Sequence, residues 1–403
     1  MKIQILGLCS IFGVACLSAA PAFTQTLEAT SVTTSPATIA NVYIQTLKGI
    51  NVYNATAAGK LSLVKGSSFA DTGQMEGVNG KYLISVGTTH LHAYPIKSNG
   101  AIGEQVSVTN TQDYSGSECG TTSDNDNDPN GAILDHTGKY FYVQLYGATV
   151  DYYFCDAWQA YEVKPDGQLF FLNDAVEDSG YVANPYIGTE PTHIPTISSN
   201  NMFGYASDNL PRHGLAAFTY PSGYAEINNG YSQTGPDPGS WVLQFSLRAE
   251  ADPASHLAML LNFGDGQGKS SPLYLASYTI NDGNGAIVST NTLANMPTPG
   301  ITNIRDLSMS TTGKLLAVYG HPGLQLFHFN GAAPITPYSS VLLPKVDIDQ
   351  VAWDKNNHLY ALSYSAQKLY LFTVTPTSIT AIAGSPYTVQ NPYGIKGLIV
   401  VPK

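Results

Sequence analysis

Charge is what this chain has least of. Only 12% of its 403 residues are Asp, Glu, Lys or Arg, about half the ~25% usual in soluble domains, so the polar surface falls to Ser, Thr, Asn and Gly. Cations are scarcest: the three arginines are Arg212, Arg248 and Arg305, and the net charge is −11. That balance argues against nucleic acid and anionic membrane as partners, and a phosphorylated or polyanionic substrate would be poorly held. Cysteines number four and tryptophans three. G-x-S-x-G, H-E-x-x-H and paired C-x-x-C are all missing, which removes the nucleophile-elbow, zincin and zinc-ribbon readings.

Long apolar runs are missing too, except at the N-terminus. There Lys2 precedes an apolar stretch from Ile3 to Leu17 and the small-residue signal Ala20-Pro21-Ala22. The run is short of the ~20 residues a membrane span wants, so residues 1–22 read as a secretory signal peptide and residues 23–40 as a flexible Ser/Thr-rich leader. A periplasmic or extracellular location follows. The alternative is a lipoprotein anchored at Cys16, although Gly13 stands where a lipobox would have Leu. Loss of the signal leaves Cys119 and Cys155, an even pair in an oxidising compartment and so an expected disulfide.

What is abundant is turn and tyrosine: 38 Gly, 24 Pro and 26 Tyr. With 403 residues the chain exceeds the ~250–300 at which one hydrophobic core stops growing, so it is several domains or a repeat. A repeat is visible. An apolar run ending in an aromatic recurs seven times, anchored at Tyr53, Tyr94, Tyr161, Phe218, Tyr278, Phe327 and Phe372, at intervals of about 40 to 70 residues. Another alternating strand precedes each, such as "KYFYVQ" at Lys139 and "KLLAVY" at Lys314, with the half-buried pattern of β structure. Tight-turn sequences flank them: "HTGK", "TTGK" and "VNGK" before, "KPDG" and "NDGN" after.

A further strand on each side makes four per repeat. Four strands, seven times, is an all-β seven-bladed β-propeller of antiparallel blades spanning residues 41–403. "GIKGLIVV" at Gly394 fills the first-strand slot that Asn41 lacks, so N- and C-terminal strands share one blade and close the ring. The competing architecture, an array of β-sandwiches, finds no linkers between candidate domains.

The repeated strand pair, clearest in "DHTGKYFYV", and the "AIAGSPY" ending of the last repeat resemble the YVTN-type, or lactonase-type, seven-bladed propellers. The resemblance covers nearly all of the mature chain. It implies the fold, while the scaffold hosts many activities. Some members of that family use channel His, Arg and Glu residues on sugar lactones; here His193, Arg305 and Glu190 are the residues that would take those parts.

Within the repeat, turns after the first and third strands are short, with the loop after Ser246 as the exception. The other rim collects long segments rich in Tyr, Asp and Asn, such as "TQDYSGSECGTTSDNDNDP" and "NNGYSQTGPDPGSW". Such loops on a rigid scaffold suit recognition of a glycan or an envelope protein. That binding role is the leading expectation, and hydrolysis of a small lactone at the channel mouth is the alternative. A monomer is expected. Aligning repeats on their turns places Asn130, Thr192, Arg305, Asp349 and Tyr393 at the channel mouth, beside His193, Asp306 and Gln350.

Metal signals are weak. Asp124, Asp126, Asp128 and Asp135 match EF-hand positions, but Pro129 replaces the required Gly and no helix flanks them. Asp135 belongs to a turn of the fold. Asp124, Asp126 and Asp128 remain a candidate calcium site, against the plainer reading of a solvated loop. His90 and His92 alternate on one strand face, a spacing that can chelate a metal or simply pack. "GDGQGKSS" at Gly264 misses the P-loop pattern and joins two strands. No cofactor is required.

Overall fold

The computed structural model describes residues 37–69, 73–87, 90–111, 128–146, 155–178, 196–206, 216–219, 243–264 and 272–403. These form antiparallel sheets in which strands succeed one another outward from a leading strand. The first sheet runs Gly397–Pro402, Thr38–Thr46, Gly49–Thr56, Leu61–Leu63; the second Gln74–Val78, Tyr82–Val86, His90–Pro95, Ser107–Asn110. The third comprises Asp128–Leu134, Tyr140–Tyr146, Cys155–Val163 and Leu169–Asp178; the fourth Thr196–Ile197, Phe203–Ala206 and Ala216–Thr219. The fifth is Leu243–Ala251, His256–Gly264, Leu273–Ile280 and Ile287–Val288. The sixth is Asn303–Met309, Leu315–His321, Gly323–Asn330 and Ala333–Pro337. The seventh has Gln350–Trp353, His358–Ser363, Lys368–Val374 and Ile379–Ala381, with Tyr387–Thr388 also on its third strand.

Strands fall where alternation and turn residues put them. The first strand of the chain begins at Thr38, three residues ahead of the expected start, and pairs with the last, Asn41 opposite Val401. One expectation is corrected. The loop after Ser246 does not exist, because the strand continues to Ala251 past a bulge between Ser246 and Arg248. An extra residue in one strand breaks strict alternation without ending the pairing, so the sequence pattern looked like a loop.

In the third, fifth, sixth and seventh sheets the leading strand is followed by a turn held by one side chain. Asp135 accepts from the N–H groups of Lys139 (2.9 Å) and Tyr140 (3.0 Å), as expected of a turn residue. Asp252 does the same for Ala254 and His256, Asp354 for Asn356 and His358, and Ser310 for Leu315. These local bonds favour turns over continued strand. Gly138 supplies the positive φ (67°) that closes the third sheet's turn.

Apolar clusters lie between sheets. Tyr43, Tyr205 and Tyr360 are fully buried, and their hydroxyls donate to Gly100 O (3.1 Å), Gly285 O (2.8 Å) and Asp354 Oδ2 (2.9 Å). Burial of such a side chain stabilises by ~1.5–3 kcal/mol, provided its hydroxyl finds a partner. Polar stitches join each sheet to the next: Met75 N–H to Gln45, Asn79 to Gly138 O, and His136 N–H to Asn201. Further on, Ala251 N–H donates to Thr196, Arg248 to Arg305 O, Trp353 to Ser308 O, and Tyr364 to Lys396 O. The last stitch ties the seventh sheet back to the first. Among the described residues no helix is long and apolar enough to cross a membrane.

Candidate active site

Leading strands of the fifth, sixth and seventh sheets lie side by side, and their polar residues build the densest charged cluster among the described residues. A bulge between Ile304 and Asp306 leaves Arg305 unpaired in the register. Bulged strands re-aim side chains. Here Arg305 engages His321 and Asp349 while Asp306 engages Arg248, each arm on a different neighbour. Gly320 makes the bulge fit: a Cβ there would stand 1.9 Å from Asn303 O and 2.9 Å from Arg305 N.

His321, the last residue of its strand, is the centre of the first arm. Its Nε2 lies 3.2 Å from Asp349 Oδ1 and receives Arg305 Nε at 3.4 Å, while Nδ1 is 3.9 Å from Asp347 Oδ2. Arg305 Nη2 is 3.5 Å from the same Asp349 oxygen. The other Asp349 oxygen accepts Tyr364 N–H at 2.7 Å. Asp349 is therefore buried and fixed, whereas the Arg305 side chain is 53% exposed and His321 is partly open. A fixed carboxylate beside a reachable imidazole and guanidinium is the arrangement of an oriented general base with an electrophilic partner.

The second arm is Arg248, Glu250 and Asp306. Arg248 Nε donates to Arg305 O (2.7 Å) and lies 3.5 Å from Asp306 Oδ1, which also accepts Leu307 N–H at 2.8 Å. The Asp306 side chain is half exposed, yet the protein around it, by desolvation, pushes its carboxyl above the usual range, with Arg248 and Leu307 N–H opposing. Burial raises Glu250 much further, and the charge of Asp306 adds to it. Burial also lowers the Arg248 guanidinium, against the attraction of Asp306. On the second sheet's leading strand, burial lifts Glu76 to about 8 against bonds from the Ala132 backbone and Gln74.

Of the residues expected at the site, Arg305 and Asp349 meet, and Asp306, next to Arg305 on the strand, engages Arg248. Gln350 is a joint instead, its Oε1 accepting Leu398 N–H from the first sheet. Tyr393 stands 69% exposed where the chain enters the first sheet, its carbonyl accepting Leu47 N–H. Asn130 sits at a bulge in the third sheet, between Pro129 and Gly131. His193, Glu190 and Thr192 lie outside the described residues, as do Cys119, Asp124 and Asp126. Asp128, expected in a loop, and Cys155 begin strands, opposite Tyr146 and Asp178. His92 Nδ1 meets Gln105 Oε1 at 3.0 Å and its ring stacks between His90 and Tyr94. Among the described residues no three metal-ligating side chains gather.

Sequence reasoning missed His321, Arg248, Glu250 and Asp347. A signal existed for two of them: Arg248 and Glu250 alternate at i and i+2, which places both on one strand face, once the bulge is recognised. His321 ends the second strand, and that end abuts the beginning of the leading strand, Asn303 opposite His321.

The described residues are all-β, and their successive antiparallel sheets, each ordered along the chain from a leading strand, have the architecture of a β-propeller. Solved structures agree on the fold. A periplasmic gluconolactonase of Pseudomonas aeruginosa matches with a TM-score of 0.60 at 14% identity, covering 90% of this chain and 99% of that one. A Bacteroides fragilis protein provisionally named a 6-phosphogluconolactonase matches with a TM-score of 0.59 at 14% identity, over 91% of this chain and 100% of that one. A Bacteroides uniformis protein with the same provisional name gives 0.60 at 11% identity, over 91% and 100%. No family model matches the sequence, and no curated protein does.

Proposed function

We propose that this chain is a lactone hydrolase, exported from the cell, whose seven sheets close into a ring with the site at one mouth of the central channel. The placement of His321 between Arg305 and Asp349 carries the reading. Ring closure is supported by the pairing of the first and last strands and by the stitch between seventh and first sheets. Structures of like fold named as a gluconolactonase and, provisionally, as a 6-phosphogluconolactonase support a lactone-hydrolysing activity. Export is supported by the apolar N-terminal run ending in Ala20-Pro21-Ala22.

In this account His321 carries its proton on Nε2 and donates it to Asp349 in place of accepting Arg305 Nε–H, which leaves Nδ1 to take a proton from water as that water adds to the lactone carbonyl. The developing oxyanion needs one N–H, and the half-exposed Arg305 guanidinium has N–H groups beyond those turned to His321 and Asp349. Collapse of the tetrahedral intermediate breaks the bond from the acyl carbon to the ring oxygen. That oxygen takes the proton from His321, and a hydroxy acid leaves.

The loop-mediated binding role expected first from sequence rests on segments outside the described residues, and no described feature favours it. The test is a lactone hydrolysis panel on the purified protein, with His321→Ala and His193→Ala beside it. Turnover lost in the first and kept in the second places the base at His321. Turnover lost only in the second moves the base to His193. No turnover by folded protein refutes the activity for that panel.

A further inference from the structure

Building on the lactonase reading, we propose that the site takes uncharged polyhydroxy lactones and turns away phosphorylated ones, with Asp306 as a specificity determinant. The argument is one of cation supply. A phosphate group is held by a guanidinium fork, by several lysines or by backbone N–H groups, and in each case by donors not already committed to an anion. Both described arginines are committed. Arg248 lies 3.5 Å from Asp306 and spends its Nε on Arg305 O at 2.7 Å, while Arg305 lies 3.5 Å from Asp349.

Asp347 stands 3.9 Å from His321 Nδ1 and Asp306 stands 3.5 Å from Arg248 Nε, so a phosphoryl dianion entering here meets an aspartate on each arm. The like-charge cost of such a meeting is largest where water is restricted. A neutral lactone makes no such demand. Its carbonyl oxygen needs one donor from Arg305, and its hydroxyls both donate to carboxylates and accept from guanidinium, so acidic partners that repel phosphate serve a polyol. No described lysine enters the ion pairs of the two arms, and the lysines and arginines after the leader that lie outside the described residues are Arg212 and Lys269.

The experiment compares kcat/KM for a neutral aldonolactone and its 6-phosphorylated counterpart, measured on wild type and Asp306→Asn. Asp306 does not touch His321, and the ratio of two substrates on one variant cancels any common loss of rate. Wild type is expected to prefer the neutral lactone at least tenfold, and Asp306→Asn, which frees Arg248, to shrink that preference severalfold. Preference for the phosphorylated lactone would overturn the inference and leave the lactonase reading standing. An unchanged ratio in Asp306→Asn would remove Asp306 as a determinant. No turnover of either lactone by folded protein would remove the activity and the inference with it.

Discussion

Replacing Asp354 by Asn should destabilise the protein by about 3 kcal/mol at neutral pH. Asp354 is fully buried, with Oδ1 accepting Asn356 N–H (2.8 Å) and His358 N–H (3.0 Å). Oδ2 accepts His358 Nδ1 (2.8 Å) and the Tyr360 hydroxyl (2.9 Å). Asparagine keeps the first oxygen and puts an amide NH₂ against the two donors of the second. Bonds to a charged group contribute roughly 1.5–3 kcal/mol each, and a buried donor left unpaired costs about 1–3; loss of one to two bonds gives the figure. Burial alone would raise this carboxyl, but the bonds from His358 and Tyr360 outweigh it and hold it below its ordinary 3.8. A carboxyl depressed by folding stabilises in full above 3.8 and loses that contribution as pH falls from there through its folded value. Urea unfolding at pH 7, and at steps below 3.8, reads both effects. A variant within about 0.5 kcal/mol of wild type at pH 7, or a difference that grows on acidification, would refute the reasoning.

Two further outcomes follow from the geometry of the leading strands. Gly320→Ala should cost about 1–3 kcal/mol in urea unfolding, because its methyl meets Asn303 O at 1.9 Å and must part the strands at the bulge. Lactone turnover should fall by more than tenfold in the same variant as Arg305 and His321 move apart. Glu76 holds its proton in the folded state up to about 8 while the unfolded chain releases it near 4.5. The folded state then binds more protons, so wild-type stability declines as pH rises from 4.5 to 8. Glu76→Gln removes that decline, a relative gain of at most about 4–5 kcal/mol before screening by solvent, checked by the same titration of unfolding against pH.

Much of the fold was legible because its code is local. Alternation marks half-buried strands, and Asp135, Ser310 or Asp354 followed by a Gly or Asn turn marks their ends, so leading strands could be placed residue by residue. The fifth sheet shows the limit. One extra residue between Ser246 and Arg248 shifts the alternation by a step, and that step concealed Arg248 and Glu250 as strand residues facing the site. His321 was hidden for another reason. It follows its strand's apolar run, and nothing nearby in sequence announces that Asp349, from another sheet, will meet its ring. Turn-based alignment follows the repeat and put Arg305, Asp306, Asp349 and Gln350 at neighbouring positions, but such a position does not say whether a side chain turns to a nearby charge, as Arg305 does, or to the next sheet, as Gln350 does.

The central claim is that His321 activates water at a lactone carbonyl. Its most direct test is the initial rate of acid release from a neutral aldonolactone, followed by pH-stat against the spontaneous rate, for wild type and His321→Asn. The account predicts a wild-type rate well above background and a loss of ~10²-fold or more in the variant, the scale of general-base catalysis. A variant as fast as wild type, with both folded, would contradict it.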